Sequence, residues 1–510
     1  MLNKLIQTTL LTCFICFSCL AQKSRPLSNS PKYEFRAAWI ATVENIDWPK
    51  KGQYNSDQQK QDFIRILNEH KRSNLNAVMV QVRDACDSYY ARSIEPWSEF
   101  LTGQQGKFPS PYYDPMSFMI TEAHDRNLEF HAWLNLNRAT FRKATSITPD
   151  HISNRKPEWM LTYDGQKLLN FGIPEVRDYI TNVVVEIVKH YDIDGIHFDD
   201  YFYPYQVTGQ VLKDESTFKK YPNGMTNIED WRRNNTDLLI LQISEAIKTT
   251  KPYVKFGISP FGVWKNFSNA TPDGSRTQAG QTSHGQLYAD TRKWIEQGWI
   301  DYIAPQIYFD RNHAKVPYKE LSKWWMENAF GRHLYIGHGV YKIKSGWSLT
   351  EAPAQIRFDR QYKQIDGSIF FSSKSLTENY GGFQDSLRID FYRKPAIVPP
   401  MPWKDNVPPL APQKVFMTKN ETGKPILTWQ PGEAARDGNE NTYFAVYRFE
   451  RAEKPDFERL DKMLYVGRQN TFTDTTAEKS RGYVYHVTSF DRLHNESVTT
   501  ATAVLEYDVK

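Results

Sequence analysis

Short β-forming runs alternate with amphipathic helical stretches along most of the chain. Eight runs rich in β-branched and aromatic residues predict strands, at 36–42, 77–82, 128–135, 195–199, 254–260, 302–307, 334–338 and 368–372. Between them, apolar residues recur at helical spacing, for example over 58–73, 116–126, 176–191, 231–249 and 288–297. An eightfold strand–helix repeat indicates an α/β fold closed into a (β/α)8 TIM barrel, which we expect over residues 33–393.

The pattern changes beyond the barrel. Seven prolines in the segment 394–412 predict a stiff linker, at Pro395, Pro399, Pro400, Pro402, Pro408, Pro409 and Pro412. Short strands without intervening helices follow, at 426–429, 443–448, 471–473, 483–490 and 503–507. Residues 413–510 therefore predict an all-β sandwich, which resembles a fibronectin type III module. We expect the linker to hold the two domains apart or at a fixed angle.

The N-terminus carries the order of a secretory signal. Lys4 precedes an apolar run over 10–20, and Ala21 offers a small residue for cleavage. We expect residues 1–21 to be a signal peptide and the mature protein to be periplasmic or on the cell surface; a lipid anchor at Cys19 is the alternative. Nowhere does the chain carry the roughly 20 apolar residues that a transmembrane segment needs.

Charge and cysteine content exclude several classes of protein. The net charge of +5 comes from 64 basic and 59 acidic residues without a basic block, which argues against a nucleic-acid partner. Cys13, Cys16 and Cys19 lie in the signal, so Cys86 alone is certain in the mature chain. One thiol allows neither an intrachain disulfide nor a structural zinc site, and we expect no metal and no cofactor. The oligomeric state stays open.

The fourth predicted strand carries the most informative chemistry. Because side chains alternate along a strand, His197 and Asp199 share a face at its carboxyl end, where barrels place their active sites. Asp199 is the predicted nucleophile or base. Asp200 is also a catalytic candidate, although a regular strand would point it the other way, and Asp84 is the third. Glu95, Glu44 and Asp310 are alternatives for the second carboxyl group.

Other strand ends are polar or aromatic where a barrel core should be closing. The candidate substrate-binding residues are Gln81, Arg83, Glu95, Trp97, His131, Trp133, Asn135, Arg138, His197, Tyr201, Gln306, Tyr308 and His338. Aromatic rings offer flat apolar faces to sugar rings, and the polar groups can bond hydroxyls. Long connections at 136–173 and 265–285 are candidate walls or lids of the same cleft.

Several motifs resemble one family. Glu34-Phe35-Arg36-Ala37-Ala38-Trp39, Gln81-Val82-Arg83, Glu95-Pro96-Trp97-Ser98, Asp199-Asp200-Tyr201 and Ala304-Pro305-Gln306-Ile307-Tyr308 resemble the glycosyl hydrolase-like 10 family. The resemblance implies an exported bacterial barrel, and some members are implicated in cleaving peptidoglycan glycan strands stripped of peptide. We therefore expect a glycoside hydrolase that acts on a polysaccharide, with peptidoglycan glycan as one substrate.

Two other functions compete with hydrolysis of a glycan. A non-catalytic glycan-binding barrel would keep the aromatic residues and lose the carboxyl pair. Metal-dependent deacetylation or phosphodiester hydrolysis would use His131, His197, Asp199 and Asp200 as ligands, although no compact metal-binding spacing occurs among them. We expect the sandwich to be an accessory module that takes no part in catalysis. A chain ending near Pro400 should therefore fold and keep its turnover of short glycans.

Overall fold

A computed structural model describes residues 30–478 and 481–505, so the signal-peptide prediction for 1–21 lies outside the described residues. Eight parallel strands form a closed barrel in the order β1-β10-β9-β8-β7-β6-β3-β2. Their bounds are β1 Phe35–Ile40, β2 Ala77–Arg83, β3 Glu129–Leu134, β6 Gly195–Phe198, β7 Lys255–Ile258, β8 Tyr302–Ile303, β9 His333–His338 and β10 Gly367–Phe370. The predicted barrel is therefore confirmed, and each predicted strand overlaps an observed one.

Helices surround the barrel, in the connections between its strands and after the last strand, β10. They are α1 Ser56–Arg72, α2 Glu99–Thr102, α3 Pro115–Asp125, α4 Ile152–Arg155, α5 Pro174–His190, α6 Glu215–Lys220, α7 Ile228–Thr250, α8 Thr291–Glu296, α9 Tyr318–Glu327, α10 Glu351–Asp359, α11 Ser373–Thr377 and α12 Phe383–Ser386. Local sequence sets their starts: the Asn227 side chain accepts hydrogen bonds from the backbone N–H groups of Glu229 and Asp230 at the start of α7. The predicted helices are found within a few residues of their expected bounds.

Alternation along each barrel strand separates two cores. On β1, Ala38 and Ile40 face the helices, whereas Phe35, Ala37 and Trp39 fill the barrel interior. The interior also holds polar side chains from other strands, including His131 and His197, both fully buried. Buried polar groups need hydrogen-bond partners, so the interior is organised by polar contacts as well as by apolar packing.

The long connection after β3 contains a small hairpin. Its strands are β4 Met160–Tyr163 and β5 Gln166–Leu169, and an isolated bridge between Arg138 and Leu168 ties the hairpin back to the end of β3. This connection stands over the carboxyl end of the barrel, as a wall of the cleft described below.

Across the described residues, every helix is too short or too polar to cross a membrane.

The C-terminal part consists of two antiparallel sheets. One has the order β11-β12-β15 and the other β14-β13-β16-β17. Their bounds are β11 Gln413–Lys419, β12 Pro425–Gln430, β13 Tyr443–Glu450, β14 Met463–Gly467, β15 Thr471–Thr473, β16 Tyr483–Phe490 and β17 Ala501–Leu505. Trp429 of the first sheet packs with Phe444 and Tyr485 of the second in one apolar core. The five predicted strands are present, although residues 506 and 507 are outside the described range, and β11 and β14 were missed. The likeness to a fibronectin type III module stays a prediction.

The proline-rich segment does not separate the two parts. Ile397, Val398 and Met401 are buried. Trp403 Nε1 and Lys404 Nζ donate to the carboxylate of Asp301 at 3.1 and 2.9 Å. Of the two alternatives for this segment, the one in which it holds the domains apart is wrong, because its apolar side chains pack against the amino end of the barrel. The alternative of a fixed angle stays a prediction.

The sandwich itself also contacts the amino end of the barrel. His494 Nε2 lies 2.8 Å from Glu129 Oε1 at the start of β3. Arg492 donates to Asp194, the residue before β6, at 3.1 Å. The sandwich thus covers the end of the barrel opposite to the carboxyl ends of the strands.

Candidate active site

A cleft of about 400 Å³ opens at the carboxyl ends of the barrel strands. Of the candidate residues, it is lined by Gln81, Trp133, Arg138, Asp199, Asp200, Tyr201, Gln306 and Tyr308. These side chains come from β2, β3, β6 and β8 or from the loops that follow them. The barrel therefore gathers residues that are far apart in sequence, as expected for an active-site face.

Asp199 is held in one orientation by three donors. Its Oδ2 accepts hydrogen bonds from Trp133 Nε1 at 3.0 Å and Asn135 Nδ2 at 3.1 Å, and its Oδ1 accepts from the Tyr201 backbone N–H at 3.1 Å. Burial raises the pKa of Asp199 above its ordinary value, while Arg138 and these donors oppose that rise. The carboxyl group is thus fixed at the cleft by donors that favour its ionised form and partly offset the effect of burial.

Asp200 shares the cleft with Asp199 but has different surroundings. Burial and the neighbouring charge of Asp199 raise the pKa of Asp200 to about 6. The Tyr205 hydroxyl donates to Asp200 Oδ2. The expectation that Asp200 would point away fails because β6 ends at Phe198, and the chain leaves strand geometry before either aspartate. Both carboxyl groups consequently line the same cleft.

Aromatic side chains and one guanidinium complete the walls. The Arg138 guanidinium lies 4.8 Å from the centre of the Tyr201 ring and 5.3 Å from that of Phe141. The other aromatic lining residues are Trp39, Trp133, Tyr205, Tyr308, Tyr341 and Phe371. A cleft with apolar ring faces and a few oriented polar groups has the composition of a carbohydrate site.

Two amide side chains shape the cleft. Gln81 Oε1 accepts hydrogen bonds from the backbone N–H groups of Thr42 at 3.1 Å and Val43 at 3.0 Å, which fixes the loop after β1. Gln306 Nε2 donates to the Ser259 carbonyl at 3.0 Å. Each amide therefore ties one strand end to its neighbour.

Arg83 and Glu95 were predicted to bind substrate, but neither lines the cleft. They form a buried bidentate ion pair, with both N–O distances 2.7 Å. Gln81 and Arg83 are two positions apart, and regular alternation would put both side chains on one face of β2. The register between β2 and β3 shifts between them, which breaks that alternation. Arg83 also donates to the Asn135 carbonyl and thereby supports the loop that carries a donor to Asp199.

Asp84 is also away from the cleft. It is fully buried and accepts a hydrogen bond from the Tyr89 hydroxyl at 3.0 Å. Burial and the nearby Asp87 carboxyl raise its pKa well above the ordinary value. Asp84 is therefore not placed to act with Asp199, contrary to its nomination as a catalytic residue.

Five more predicted residues are buried outside the cleft lining: Trp97, His131, Asn135, His197 and His338. Asn135 reaches the site only as a donor to Asp199. Trp97 packs edge-on against Phe108, with ring centres 6.2 Å apart. His338 bonds Gln355 and Ser368, both at 3.0 Å. His131 and His197 lie in the barrel interior, and both contact the Tyr302 hydroxyl. Strand alternation correctly placed the two interior histidines inside the barrel, but too deep to touch a substrate.

Of the alternative carboxyl groups, Glu44 lines the cleft and Asp310 does not. Glu44 is ion-paired with Lys143 at 2.7 Å. Trp39 and Tyr205 also line the cleft, although neither is among the residues predicted from the sequence. Trp39 stood in a motif shared with the resembled family, and Tyr205 belongs to the aromatic run after Asp200, so both carried a signal. Among the described residues, no group of three His, Cys, Asp or Glu side chains is arranged to hold a metal ion.

A closed parallel barrel with two carboxyl groups and aromatic walls at its catalytic end defines a barrel of the glycoside hydrolase type. The family model Glycosyl hydrolase-like 10 matches residues 34–354. Glycosyl hydrolase YngK of Bacillus subtilis (strain 168) is 44% identical over 474 residues, which cover 91% of this chain and 92% of the relative. The chain belongs to the Glycosyl hydrolase-like 10 family.

Further similarities are more distant. Glycosyl hydrolase DigH of Escherichia coli (strain K12) is 37% identical over 372 residues, covering 67% of this chain and 84% of DigH. Among solved structures, the catalytic domain of β-amylase from Paenibacillus polymyxa is similar with a TM-score of 0.45 and 11% identity, over 71% of this chain and 99% of that one.

Proposed function

We propose that this protein hydrolyses glycosidic bonds of a bacterial glycan, with Asp199 and Asp200 as its two reacting carboxyl groups. Such hydrolysis needs one ionised and one protonated carboxyl group at the scissile bond. The observation that carries the proposal is that both aspartates line one cleft in unequal surroundings.

The hydrogen bonds support a different role for each carboxyl group. Asp199 accepts from three donors and is close to Arg138, all of which favour its ionised form. Its charge is one cause of the raised pKa of Asp200, so Asp199 loses its proton first. Asp199 is then the nucleophile or base, and Asp200 is the acid that protonates the oxygen of the leaving sugar.

The cleft also suggests which glycan is cleaved. The resemblance implies peptidoglycan glycan strands, and the Arg138 guanidinium in the cleft suits an acidic sugar. Muramic acid carries a lactyl carboxylate that becomes free when the stem peptide is removed. We therefore propose peptide-free peptidoglycan strands as the substrate, with the lactyl carboxylate near Arg138.

The test is digestion of purified peptidoglycan before and after removal of its stem peptides, with new reducing ends counted and products identified by mass spectrometry. We expect the wild-type protein to release fragments from the peptide-free strands, and the Asp200→Asn variant to be nearly inactive. Asp310→Asn is the matched control, because Asp310 follows β8 without lining the cleft. Tight binding without any new reducing ends would instead identify a glycan-binding barrel.

We further propose that the protein acts outside the cytoplasm, because residues 1–21 have the order of an export signal. Mass spectrometry of the mature N-terminus tests this. A chain that begins at Gln22 indicates signal cleavage after Ala21, and a lipid-modified Cys19 indicates an anchor. A cytoplasmic chain that retains Met1 would contradict export.

A further inference from the structure

A continuous chain of buried polar groups runs through the barrel interior, from the sandwich to the cleft. His494 contacts Glu129 at 2.8 Å, and the other oxygen of Glu129 lies 3.0 Å from His131 Nε2. His131 Nδ1 lies 2.9 Å from the Tyr302 hydroxyl, which lies 3.0 Å from His197 Nδ1. The indole N–H of Trp39, a lining residue of the cleft, completes the chain by bonding His197 Nε2 at 3.0 Å.

The hydrogen bonds of this axial chain have one consistent direction. An indole N–H only donates, so His197 Nε2 accepts from Trp39 and the imidazole carries its proton on Nδ1. That proton is donated to the Tyr302 oxygen, which leaves the single hydroxyl proton for His131 Nδ1. His131 must then carry its own proton on Nε2 and donate it to Glu129. If any one of these hydrogen bonds ran in the opposite direction, two donors or two acceptors would face each other at another contact.

The hydrogen-bond chain ends at the carboxylate of Glu129, which His494 of the sandwich also contacts. Burial by itself raises the pKa of Glu129, but Lys255 and the hydrogen bonds from His131 and His494 hold it well below its ordinary range. Lys255 and His494 both bond Oε1 of Glu129, while His131 bonds Oε2. His494 therefore helps to set the orientation of the carboxylate to which His131 donates.

Close packing leaves the side chains of this hydrogen-bond chain little freedom to change rotamer. A Cβ at Gly195 would overlap the His131 ring, and one at Gly257 would overlap the Tyr302 ring. The Tyr302 ring stacks on His197, with centres 5.9 Å apart and planes 13° from parallel. Because both ends of the chain are anchored, a change at Glu129 has to be taken up along the chain or at Trp39.

We propose that His494, supplied by the C-terminal sandwich, is a positioning residue for the cleft, acting on Trp39 through Glu129, His131, Tyr302 and His197. The sandwich then does more than accompany the barrel: one of its side chains fixes an aromatic wall beside the reacting carboxyl groups. The expected effect on turnover rests on the proposed hydrolase function. The expected effect on the hydrogen bonds does not.

The test compares His494→Leu, which removes the donor to Glu129, with His494→Gln, which retains an N–H at a similar reach. His486→Leu is the matched control, because His486 lies in the same sandwich and bonds Thr500 rather than the barrel. Nitrogen NMR of histidine- and tryptophan-labelled protein reports the protonated nitrogen of His197 and the indole N–H of Trp39. Glycan turnover supplies kcat and KM separately.

For His494→Leu we expect shifted His197 and Trp39 signals and a loss of about tenfold in kcat/KM, the scale typical of a misplaced supporting group. His494→Gln should restore both, and His486→Leu should leave both unchanged. If His494→Leu does not fold, Tyr302→Phe interrupts the chain within the barrel and should shift the same signals.

Unchanged His197 and Trp39 signals in a folded His494→Leu protein, with wild-type kcat/KM, would overturn the inference. The same holds for unchanged Trp39 signals in Tyr302→Phe, should that be the variant that folds. If the wild-type protein hydrolyses no glycan, the proposed function fails, while the NMR signals still decide whether His494 positions Trp39.

Discussion

Two pairs of buried carboxyl groups, one pair at each end of the barrel, have pKa values shifted in opposite directions. At the open end, burial raises the pKa of Asp199 above its ordinary value and that of Asp200 to about 6. At the covered end, burial is outweighed: Lys255 holds the pKa of Glu129 well below its ordinary range, and His124 and Arg492 lower that of Asp194. Desolvation is common to both pairs. Glu129 and Asp194 accept a hydrogen bond from a cation, Lys255 or Arg492, whereas the donors to Asp199 are uncharged.

This difference separates a reactive site from a structural one. A buried carboxylate with fixed cationic partners is ionised throughout the ordinary pH range and contributes to stability when its partners are present. A buried carboxyl group without an ion pair keeps a pKa near the working pH and can exchange a proton. Side chains of the same type are thus structural at one end of the barrel and available for chemistry at the other.

The largest expected effect comes from removing the cover of the amino end. A chain that ends at Pro400 lacks Lys404, Arg492 and His494, and leaves three buried carboxylates without these partners. Loss of one partner costs about 3 to 5 kcal/mol where the remaining charge stays buried, and less where water replaces the partner. Three such losses, together with the exposure of the apolar surface that the sandwich covers, are a large share of a typical net stability of about 5 to 15 kcal/mol. We therefore expect the truncated barrel not to fold stably, contrary to the expectation from sequence.

Soluble expression, circular dichroism and thermal melting of the truncated chain measure this. Co-expression of residues 394–510 as a separate chain should recover folded material. A cooperatively folded truncated barrel with normal turnover would mean that the covered end is dispensable.

The next largest effect is on turnover at the open end. Asp199→Asn keeps the shape of the side chain and removes its charge, so kcat should fall by roughly 10³-fold. The melting temperature should stay the same or rise, because a costly buried charge is lost. Initial rates on soluble glycan and calorimetric melting check both parts. Normal turnover in the folded variant would remove Asp199 from the reaction.

Glu129→Gln is the matching change at the covered end, and there we expect the main effect to be a loss of stability. Removing the charge leaves Lys255 buried without its carboxylate, which we expect to lower the free energy of unfolding by about 3 to 5 kcal/mol. Urea denaturation of the wild-type and variant chains measures the difference. The two ends would not differ in kind if this variant were as stable as the wild-type protein.

The smallest effect is a shift of the pH profile. Asp200 must be protonated to act as the acid, so kcat/KM should fall as the pH rises through about 6. The Tyr205 hydroxyl bonds the carboxylate form and lowers this pKa; Tyr205→Phe should therefore move the falling limb to higher pH with only a few-fold change in maximal rate. Rates measured between pH 4 and 9 test this, because that range extends about two pH units or more to either side of the expected limb. An unmoved limb would assign it to another group.

The sequence by itself determined the eight barrel strands and about half of the residues that line the cleft. Alternating apolar and polar positions fix which face of a strand is buried, and polar residues such as Asp199 and Asn135 at strand ends are unusual unless they are used. For the same reason the pattern placed Trp133 and Gln306 correctly on the cleft. These features depend on neighbours along the chain, which the sequence displays directly.

Only the tertiary structure decided the rest. The shift of register after Gln81 turned Arg83 away from the cleft, and the end of β6 at Phe198 brought Asp200 into it. Neither change alters the local hydrophobic periodicity, so the sequence pattern does not predict either of them. The pairing of His494 with Glu129 joins residues 365 positions apart. Contacts of that separation are set by how the sandwich packs on the barrel, because burial makes each charge require a partner that no local stretch of chain supplies.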